Sequence, residues 1–248
     1  MSKGMLIDIT MCVGCESCVY ACREQNKLEK GDTGVLSAYN WTIVQQYGDE
    51  IYVRKMCMHC LHPACVSACP VGALEKTKEG PVIYHPGKCM GCRYCMIACP
   101  FKIPKYEWDN VNPKIQKCIM CFERIREGKE PACASECPTG ATLFGEREEL
   151  VKVALERIKK EPDKYVNHVY GLKEFGGTSI LFLAPVPFEK LGFPKGIENT
   201  PLSEFTWKAL SLTPQIAIGG AVFLYGLWWI INRRIEVSKS KNIEKEQE

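Results

Sequence analysis

The sequence predicts an α+β protein that ends in a single transmembrane helix. Three observations support this prediction. Sixteen cysteines fall into four groups of four, short β-type segments flank these groups, and an uncharged stretch of 24 residues lies near the C-terminus. With 46% hydrophobic residues, a chain of 248 residues can bury one or two ordinary cores. We therefore expect a folded, cysteine-dependent domain with a membrane anchor.

The spacing of the cysteines indicates iron–sulfur clusters. The groups are Cys12, Cys15, Cys18 and Cys22; Cys57, Cys60, Cys65 and Cys69; Cys89, Cys92, Cys95 and Cys99; and Cys118, Cys121, Cys133 and Cys137. The first and third groups have the bacterial ferredoxin spacing C-x2-C-x2-C-x3-C, and the second and fourth lengthen only the middle gap. The last three groups end in Cys-Pro. Because a [4Fe–4S] cluster needs one thiolate per iron, we expect four [4Fe–4S] clusters.

Two other uses of the cysteines are less compatible with the sequence. Disulfides rarely persist in a reducing cytosol, and we expect no export signal in the opening MSKGMLIDITMC. Zinc suits separated C-x2-C pairs better than triple cysteine runs that end in Cys-Pro. A zinc-stabilised, membrane-tethered interaction module is kept as the alternative. His59 and His62 are expected to donate hydrogen bonds near the clusters or to form turns, since each cluster already has four thiolates. No role is assigned to His85 or His168.

The connector between the second and third groups predicts an inner ferredoxin over residues 55–104. Short strands at Ala73–Leu74 and Val82–Tyr84, separated by charged residues and Gly80, predict a hairpin. In a two-cluster ferredoxin the fourth cysteine of each run binds the other cluster. The third cluster is therefore assigned to Cys57, Cys60, Cys65 and Cys99, and the fourth cluster to Cys69, Cys89, Cys92 and Cys95.

The remaining two groups predict an outer ferredoxin into which the inner one is inserted. GMLIDIT before Cys12 and PTGATLFG after Cys137 are interpreted as its opening and closing strands. The first cluster is assigned to Cys12, Cys15, Cys18 and Cys137, and the second to Cys22, Cys118, Cys121 and Cys133. Residues 1–150 would thus hold two interlocked bacterial ferredoxin-like (2×[4Fe–4S]) modules. Pairing the first group with the second and the third with the fourth stays open, although it requires a long link over residues 23–56.

The C-terminal part is predicted to be a helix, an extended segment and a membrane span. EREELVKVALERIKKEP places Leu150, Ala154 and Ile158 on one helical face. Within residues 151–208, the Gly- and Pro-rich stretch 172–201 is interpreted as a docking segment on a partner or on the membrane surface. Residues 209–232 carry no charge and, at about 1.5 Å per residue, can cross a hydrocarbon core of about 30 Å. A buried core helix is the alternative.

The distribution of basic residues predicts the orientation in the membrane. Residues 233–248 contain five Lys or Arg, whereas the twenty residues from Phe188 to Trp207 contain two. Since positive residues stay inside, the charged tail is expected in the cytoplasm and the cluster domain on the periplasmic side of the inner membrane. The folded chain would then cross with an exported partner that carries the signal. A cytoplasm-facing cluster domain is the alternative.

The motifs DITMCVGCESCVYAC, CMHCLHPACVSACP, CMGCRYCMIACPF and KCIMCFERIREGKEPACASECPTGA, with the later GGTSILFLAPVPFEKLG, resemble a known family. It is the four-cluster iron–sulfur (beta) subunit of the membrane-bound formate dehydrogenase, hydrogenase-2 and dimethyl sulfoxide reductase group. The first motif departs from the other three because Cys22 is followed by Arg23 and not by proline. The resemblance implies electron transfer between a catalytic subunit, of molybdopterin or nickel–iron type, and a quinone-reactive integral membrane subunit.

The sequence carries no catalytic constellation of its own. It has no nucleophile with a base, no dinucleotide-binding glycine fingerprint and no Walker loop. The apolar stretch contains no histidine that could bind haem. Nucleic-acid signatures are absent as well. We therefore expect a non-catalytic electron-transfer subunit.

Overall fold

The computed structural model describes residues 2–28, 31–194 and 199–246. Two compact units divide the chain, Met1–Ser203 and Glu204–Glu248. The strands are β1 (Lys3–Asp8), β2 (Ile43–Tyr47), β3 (Ile51–Lys55), β4 (Leu74–Lys76), β5 (Val82–Tyr84), β6 (Lys105–Tyr106), β7 (Ile115–Gln116), β8 (Thr142–Glu146) and β9 (Ile180–Leu183). The helices are α1 (Ser17–Gln25), α2 (Ala64–Ser67), α3 (Tyr94–Ala98), α4 (Phe122–Arg126), α5 (Ala132–Ser135), α6 (Arg147–Lys160) and α7 (Leu202–Glu246).

A three-stranded sheet of order β8-β1-β9 forms the centre of the first unit. β1 is antiparallel to β8, with Leu6 opposite Leu143, and parallel to β9, with Leu6 opposite Leu181. Because side chains alternate along a strand, Leu6 and Leu181 face the same side and pack in one cluster with α6. The opening and closing strands expected around the first and last cysteine groups are thus paired with each other.

Helix α6 covers one face of this sheet through the residues that the sequence predicted. Leu150, Ala154 and Ile158 are buried, and the polar residues between them are on the exposed side. Arg157 on the same helix reaches Asp8 at the end of β1, with 2.6 Å between Nη1 and Oδ2. This contact joins the helix to the loop that carries the first cysteines.

Three two-stranded sheets surround the cysteine runs. The hairpin β4–β5 lies between the second and third runs, where the sequence predicted it, with Leu74 opposite Tyr84. The hairpins β2–β3 and β6–β7 were not predicted. β2–β3 occupies the long link between the first two cysteine runs, so this link is folded within the first unit.

The interpretation of residues 172–201 as a segment lying on a partner or on the membrane is wrong for residues 180–193. β9 is fully buried in the sheet, and the 3-10 turn Phe188–Leu191 packs into the main core. Phe193 contacts Phe182 with ring centroids 5.1 Å apart. The apolar run ILFL therefore forms an outer strand of the three-stranded sheet. Its backbone groups pair with β1, and its side chains are enclosed on both faces.

In the second unit, the structure describes one element, helix α7, whose first two residues belong to the first unit. Among the described residues this is the one helix long and apolar enough to cross a membrane, and its apolar window has a mean hydropathy of 1.5. Its aromatic and aliphatic side chains, such as Ile216, Phe223 and Trp229, are exposed. The helix continues through Pro214.

Candidate metal centre

The four cysteine loops share one backbone feature. In each run the residue before the second cysteine has a left-handed conformation; these residues are Gly14, His59, Gly91 and Met120, with φ of 72°, 47°, 72° and 57°. This conformation turns the following peptide N–H groups inward and makes a concavity that favours anions. Accordingly, the N–H of Gly91 donates to Cys89 Sγ at 3.4 Å and that of Met120 to Cys118 Sγ at 3.3 Å. Glycine supplies the conformation in two runs, and His59 and Met120 adopt it at some cost in strain.

Two of the predicted sets of four thiols line cavities of their own. Cys12, Cys15, Cys18 and Cys137, here called the first quartet, border one cavity. Cys69, Cys89, Cys92 and Cys95, the fourth quartet, border another. In both cavities a single cysteine from a distant Cys-Pro motif meets the three cysteines of one run.

The other two sets lie deeper in the first unit. The second quartet is Cys22, Cys118, Cys121 and Cys133. Burial raises the pKa of Cys118 well above its usual value. Nearby thiols add to this shift, those of Cys22, Cys57, Cys133 and Cys121. The third quartet is Cys57, Cys60, Cys65 and Cys99; burial raises the pKa of Cys60 well above its usual value, followed by Cys57, Cys99 and Cys65. Members of the same assigned quartet are thus among the thiols that raise each pKa, together with Cys57 of the third quartet in the case of Cys118.

Neighbouring quartets also influence each other, in one linear order. Cys133 of the second quartet acts on Cys18 of the first. Cys57 of the third quartet acts on Cys118 of the second. Cys95 of the fourth quartet acts on Cys65 of the third. From these effects we expect the quartets to follow one another as first, second, third and fourth.

In the first and fourth quartets, the cysteine that precedes proline has a lowered pKa, which favours its thiolate form. These cysteines are Cys137 and Cys69. Burial raises the pKa of Cys69, but the N–H groups of residues 71–74 outweigh it and lower the pKa overall. The Ala73 N–H donates to Cys69 Sγ at 3.2 Å. Cys137 has a lowered pKa for the same reason, through N–H groups and the side chain of Thr139. Hydrogen bonds of this kind stabilise thiolates and tune bound clusters.

Arg54 is a buried cation that the sequence analysis did not identify. Only 3% of it is exposed; its Nε donates to Thr42 Oγ1 at 3.0 Å, and its Nη1 to Thr142 Oγ1 at 3.4 Å. Burial opposes its charge, but Cys133 and Cys18 outweigh burial and raise its pKa. Its guanidinium thus lies between the first and second quartets, where it offsets negative charge.

His59 lies in a turn before Cys60, as expected, but its side chain accepts a hydrogen bond instead of donating one, and His62 is exposed. His59 is fully buried, its Nδ1 accepts the Val82 N–H at 2.9 Å, and its Nε2 has no hydrogen-bond partner within the part of the chain that the structure describes. Since Nδ1 is the acceptor, Nε2 carries the proton in the neutral ring. His85 and His168 pair with Glu75 and Glu174 at 2.9 Å and 2.5 Å.

The donor sets suit a multi-iron cluster. Four thiols surround each cavity described above, with amide N–H groups directed at the sulfurs. Over the described ranges, no three His, Cys, Asp or Glu side chains converge closely enough to bind one metal ion. Four thiols that line one cavity suit a cluster that takes one thiolate per iron. The site and fold define a ferredoxin-type 4Fe–4S protein.

Comparisons with known proteins agree with this class. Residues 48–147, which contain twelve of the sixteen cysteines, match the 4Fe-4S dicluster domain family. The chain is 39% identical to the hydrogenase-2 operon protein HybA of Escherichia coli O157:H7, over 90% of this chain and 84% of that protein. It is 35% identical to the iron-sulfur subunit of the nitrate-inducible formate dehydrogenase of Escherichia coli K12, over 98% and 88%. For the formate dehydrogenase-O iron-sulfur subunit of the same strain the identity is 33%, over 98% and 89%.

The chain therefore belongs to the family of formate dehydrogenase iron–sulfur subunits and HybA proteins. This confirms the resemblance to the formate dehydrogenase and hydrogenase-2 group that the cysteine motifs indicated.

Proposed function

We propose that this chain is a non-catalytic electron-transfer subunit of a membrane-bound respiratory oxidoreductase complex. It would connect a catalytic subunit, of formate dehydrogenase or hydrogenase type, with a quinone-reactive membrane subunit. The observation that carries the proposal is the presence of four cysteine runs with ferredoxin-type spacing within one folded unit. Membership of a family whose members are named as iron–sulfur subunits supports it.

We assign one [4Fe–4S] cluster to each quartet, in the interlocked arrangement that the sequence predicted. When bound, each cluster accepts and releases one electron. The chain's own residues supply the thiolates, direct N–H groups at the sulfurs and exclude water from the second and third quartets. The exposed Cys15 and the part-exposed Cys92 lie at opposite ends of the series. Partners are therefore expected to contact the protein near the first and fourth quartets.

We further propose that α7 anchors the chain in the inner membrane, with the tail in the cytoplasm and the cluster domain in the periplasm. The excess of Lys and Arg after the apolar stretch supports this orientation. Adding protease to intact spheroplasts tests it. Cleavage of the cluster domain with a protected C-terminal tag is expected, and a protected cluster domain would reverse the orientation.

The cluster content is tested on the detergent-extracted full chain, purified anaerobically together with its co-purifying subunits. Iron, zinc and acid-labile sulfide are measured per chain, with the partners' own metals subtracted. Four clusters require about sixteen iron and sixteen sulfide. A Cys137→Ser variant is expected to lose about a quarter of both, because one ligand of the first quartet is replaced. Zinc in place of iron would support the interaction-module alternative and refute electron transfer.

A further inference from the structure

Lys117 is a buried cation next to the second and third quartets. It is 2% exposed, and its Nζ donates to the carbonyl oxygens of Val82 and Cys118, the latter at 2.9 Å. Cys118 is in the second quartet. Lys117 also lies near the third quartet, because Val82, whose carbonyl oxygen it binds, packs in one core cluster with Cys65. Burial raises the pKa of Cys65 to about 12, and Lys117 opposes this shift.

Lys76 approaches the third quartet from the hairpin β4–β5. Its Nζ donates to the His59 carbonyl oxygen at 3.1 Å, to Ser179 Oγ at 3.2 Å and to the Gly80 carbonyl oxygen. Burial lowers its pKa to about 8, while Cys60 and Cys57 favour the charged form. Both lysines are thus fixed by neutral acceptors: Lys76 by the carbonyl oxygen of the residue before Cys60, and Lys117 by the carbonyl oxygens of Val82 and Cys118.

Neither lysine has a carboxylate partner. The ion pairs formed within the described residues include neither Lys117 nor Lys76. A buried ammonium without a counter-charge is strongly unfavourable. An oxidised cluster with four thiolates carries a net charge of about −2, which supplies that counter-charge.

The fourth quartet has a different environment. Lys88 precedes Cys89 just as Lys117 precedes Cys118, but Lys88 is exposed to solvent. Arg93 is also exposed and stacks over Tyr106 and Trp108. Charges in water are screened, whereas buried charges act at closer to full strength.

From this contrast we propose that Lys117 and Lys76 are potential-setting residues of the third quartet. They raise the reduction potential of its cluster above that of the fourth, because reduction adds a negative charge that the two ammonium groups stabilise. Electrons on the inner module then reside mainly on the third cluster. This inference rests on the proposed four-cluster function and goes beyond it by naming the residues that set the distribution of electrons.

The test is an EPR-monitored redox titration of the anaerobic complex. Lys117→Met and Lys76→Met keep the length of the side chain and remove the charge. Each substitution is expected to lower the midpoint potential of the same cluster, the third. The equilibrium constant for its reduction should fall about tenfold, which corresponds to about 59 mV for one electron. Lys88→Met, at the matched exposed position, is expected to change every midpoint by less than about twofold. Lys117→Arg is expected to restore most of the shift.

The outcomes separate this inference from the proposed function. Full iron content with midpoints that move no more in Lys117→Met and Lys76→Met than in Lys88→Met would overturn the inference and leave the four-cluster function standing. A Lys117→Arg shift as large as that of Lys117→Met would also overturn it, because the loss would then reflect packing. If Lys117→Met loses iron, the midpoint potential of Lys76→Met is compared with that of Lys88→Met, and this comparison alone supports or overturns the inference. A wild-type chain without four iron–sulfur signals would overturn both proposals.

Discussion

Asp8 is predicted to hold the first quartet in place, and Asp8→Asn tests this. The side chain is fully buried at the end of β1, four residues before Cys12. Its Oδ2 accepts from Arg157 Nη1 at 2.6 Å and from the Tyr165 hydroxyl at 2.9 Å. Its Oδ1 accepts from the backbone N–H and the hydroxyl of Thr10, at 3.1 Å and 2.6 Å. The carboxylate thus connects α6 to the loop that leads into the cysteines.

The magnitude follows from what asparagine can replace. Its oxygen can still accept from Thr10, but its NH₂ group faces two donors, Arg157 and Tyr165. Removing one partner of a buried ion pair destabilises by about 3–5 kcal/mol. The Arg157 side chain retains 26% exposure, so water relieves part of this loss. We expect a decrease of about 2–3 kcal/mol in the free energy of unfolding.

The assay is anaerobic urea denaturation of the purified chain in detergent, followed by far-UV circular dichroism and by the visible absorbance of the clusters. For this decrease the midpoint is expected to fall by about 1 M. Glu161→Gln is the control, because the ion pair Lys164–Glu161 is near the same helix but exposed at 43% and 55%. It should cost less than about 1 kcal/mol. Equal midpoints for Asp8→Asn and Glu161→Gln would refute the reasoning.

The remaining predictions address the core, one cysteine loop and the anchor. Phe182→Ala in β9 should destabilise the first unit by about 3–5 kcal/mol in the same assay, since Phe182 is 1% exposed, and a shift below about 1 kcal/mol would argue against β9 as core. Gly14→Ala should reduce the iron content, because Gly14 has φ +72° and an added Cβ would lie 2.5 Å from the Tyr52 ring; Gly87→Ala, with open space around it, should not. A chain truncated after Ser203 should be released from membranes by an alkaline wash with its iron retained, and retention in the membrane would contradict the anchor role of α7.

Local patterns in the sequence predicted the elements that adjoin the cysteines. The hairpin β4–β5 and the helix α6 depend on short-range periodicity, which a sequence shows directly. β9 was misinterpreted because it pairs in parallel with β1, more than 170 residues earlier, and nothing local marks such a partner. A run of four apolar residues next to Pro185 is equally compatible with a surface segment.

The buried charges were harder to predict. Arg54 lies in the strand IYVRK, where a charged residue is usually assigned to the solvent face. Only the folded structure, in which Arg54 is 3% exposed and contacts Thr42 and Thr142, shows that it is enclosed. Lys117 precedes Cys118 just as Lys88 precedes Cys89, and burial alone distinguishes the two lysines. A sequence contains the ligand spacing but not the three-dimensional environment of each charge.

These buried charges also connect the fold to the clusters. Burial raises the pKa of Cys118 and Cys60, so free thiols there would be protonated and neutral. Arg54 and Lys117 would then be buried cations without any negative partner. Binding of iron would keep the thiols in their anionic form despite burial. The resulting thiolates would lie next to the buried cations and supply their negative partners. Four clusters would also change the formal charge of +3 to about −5. We therefore expect ligation of the thiols to stabilise the packing of these cations, and cluster binding and folding of this chain to be coupled.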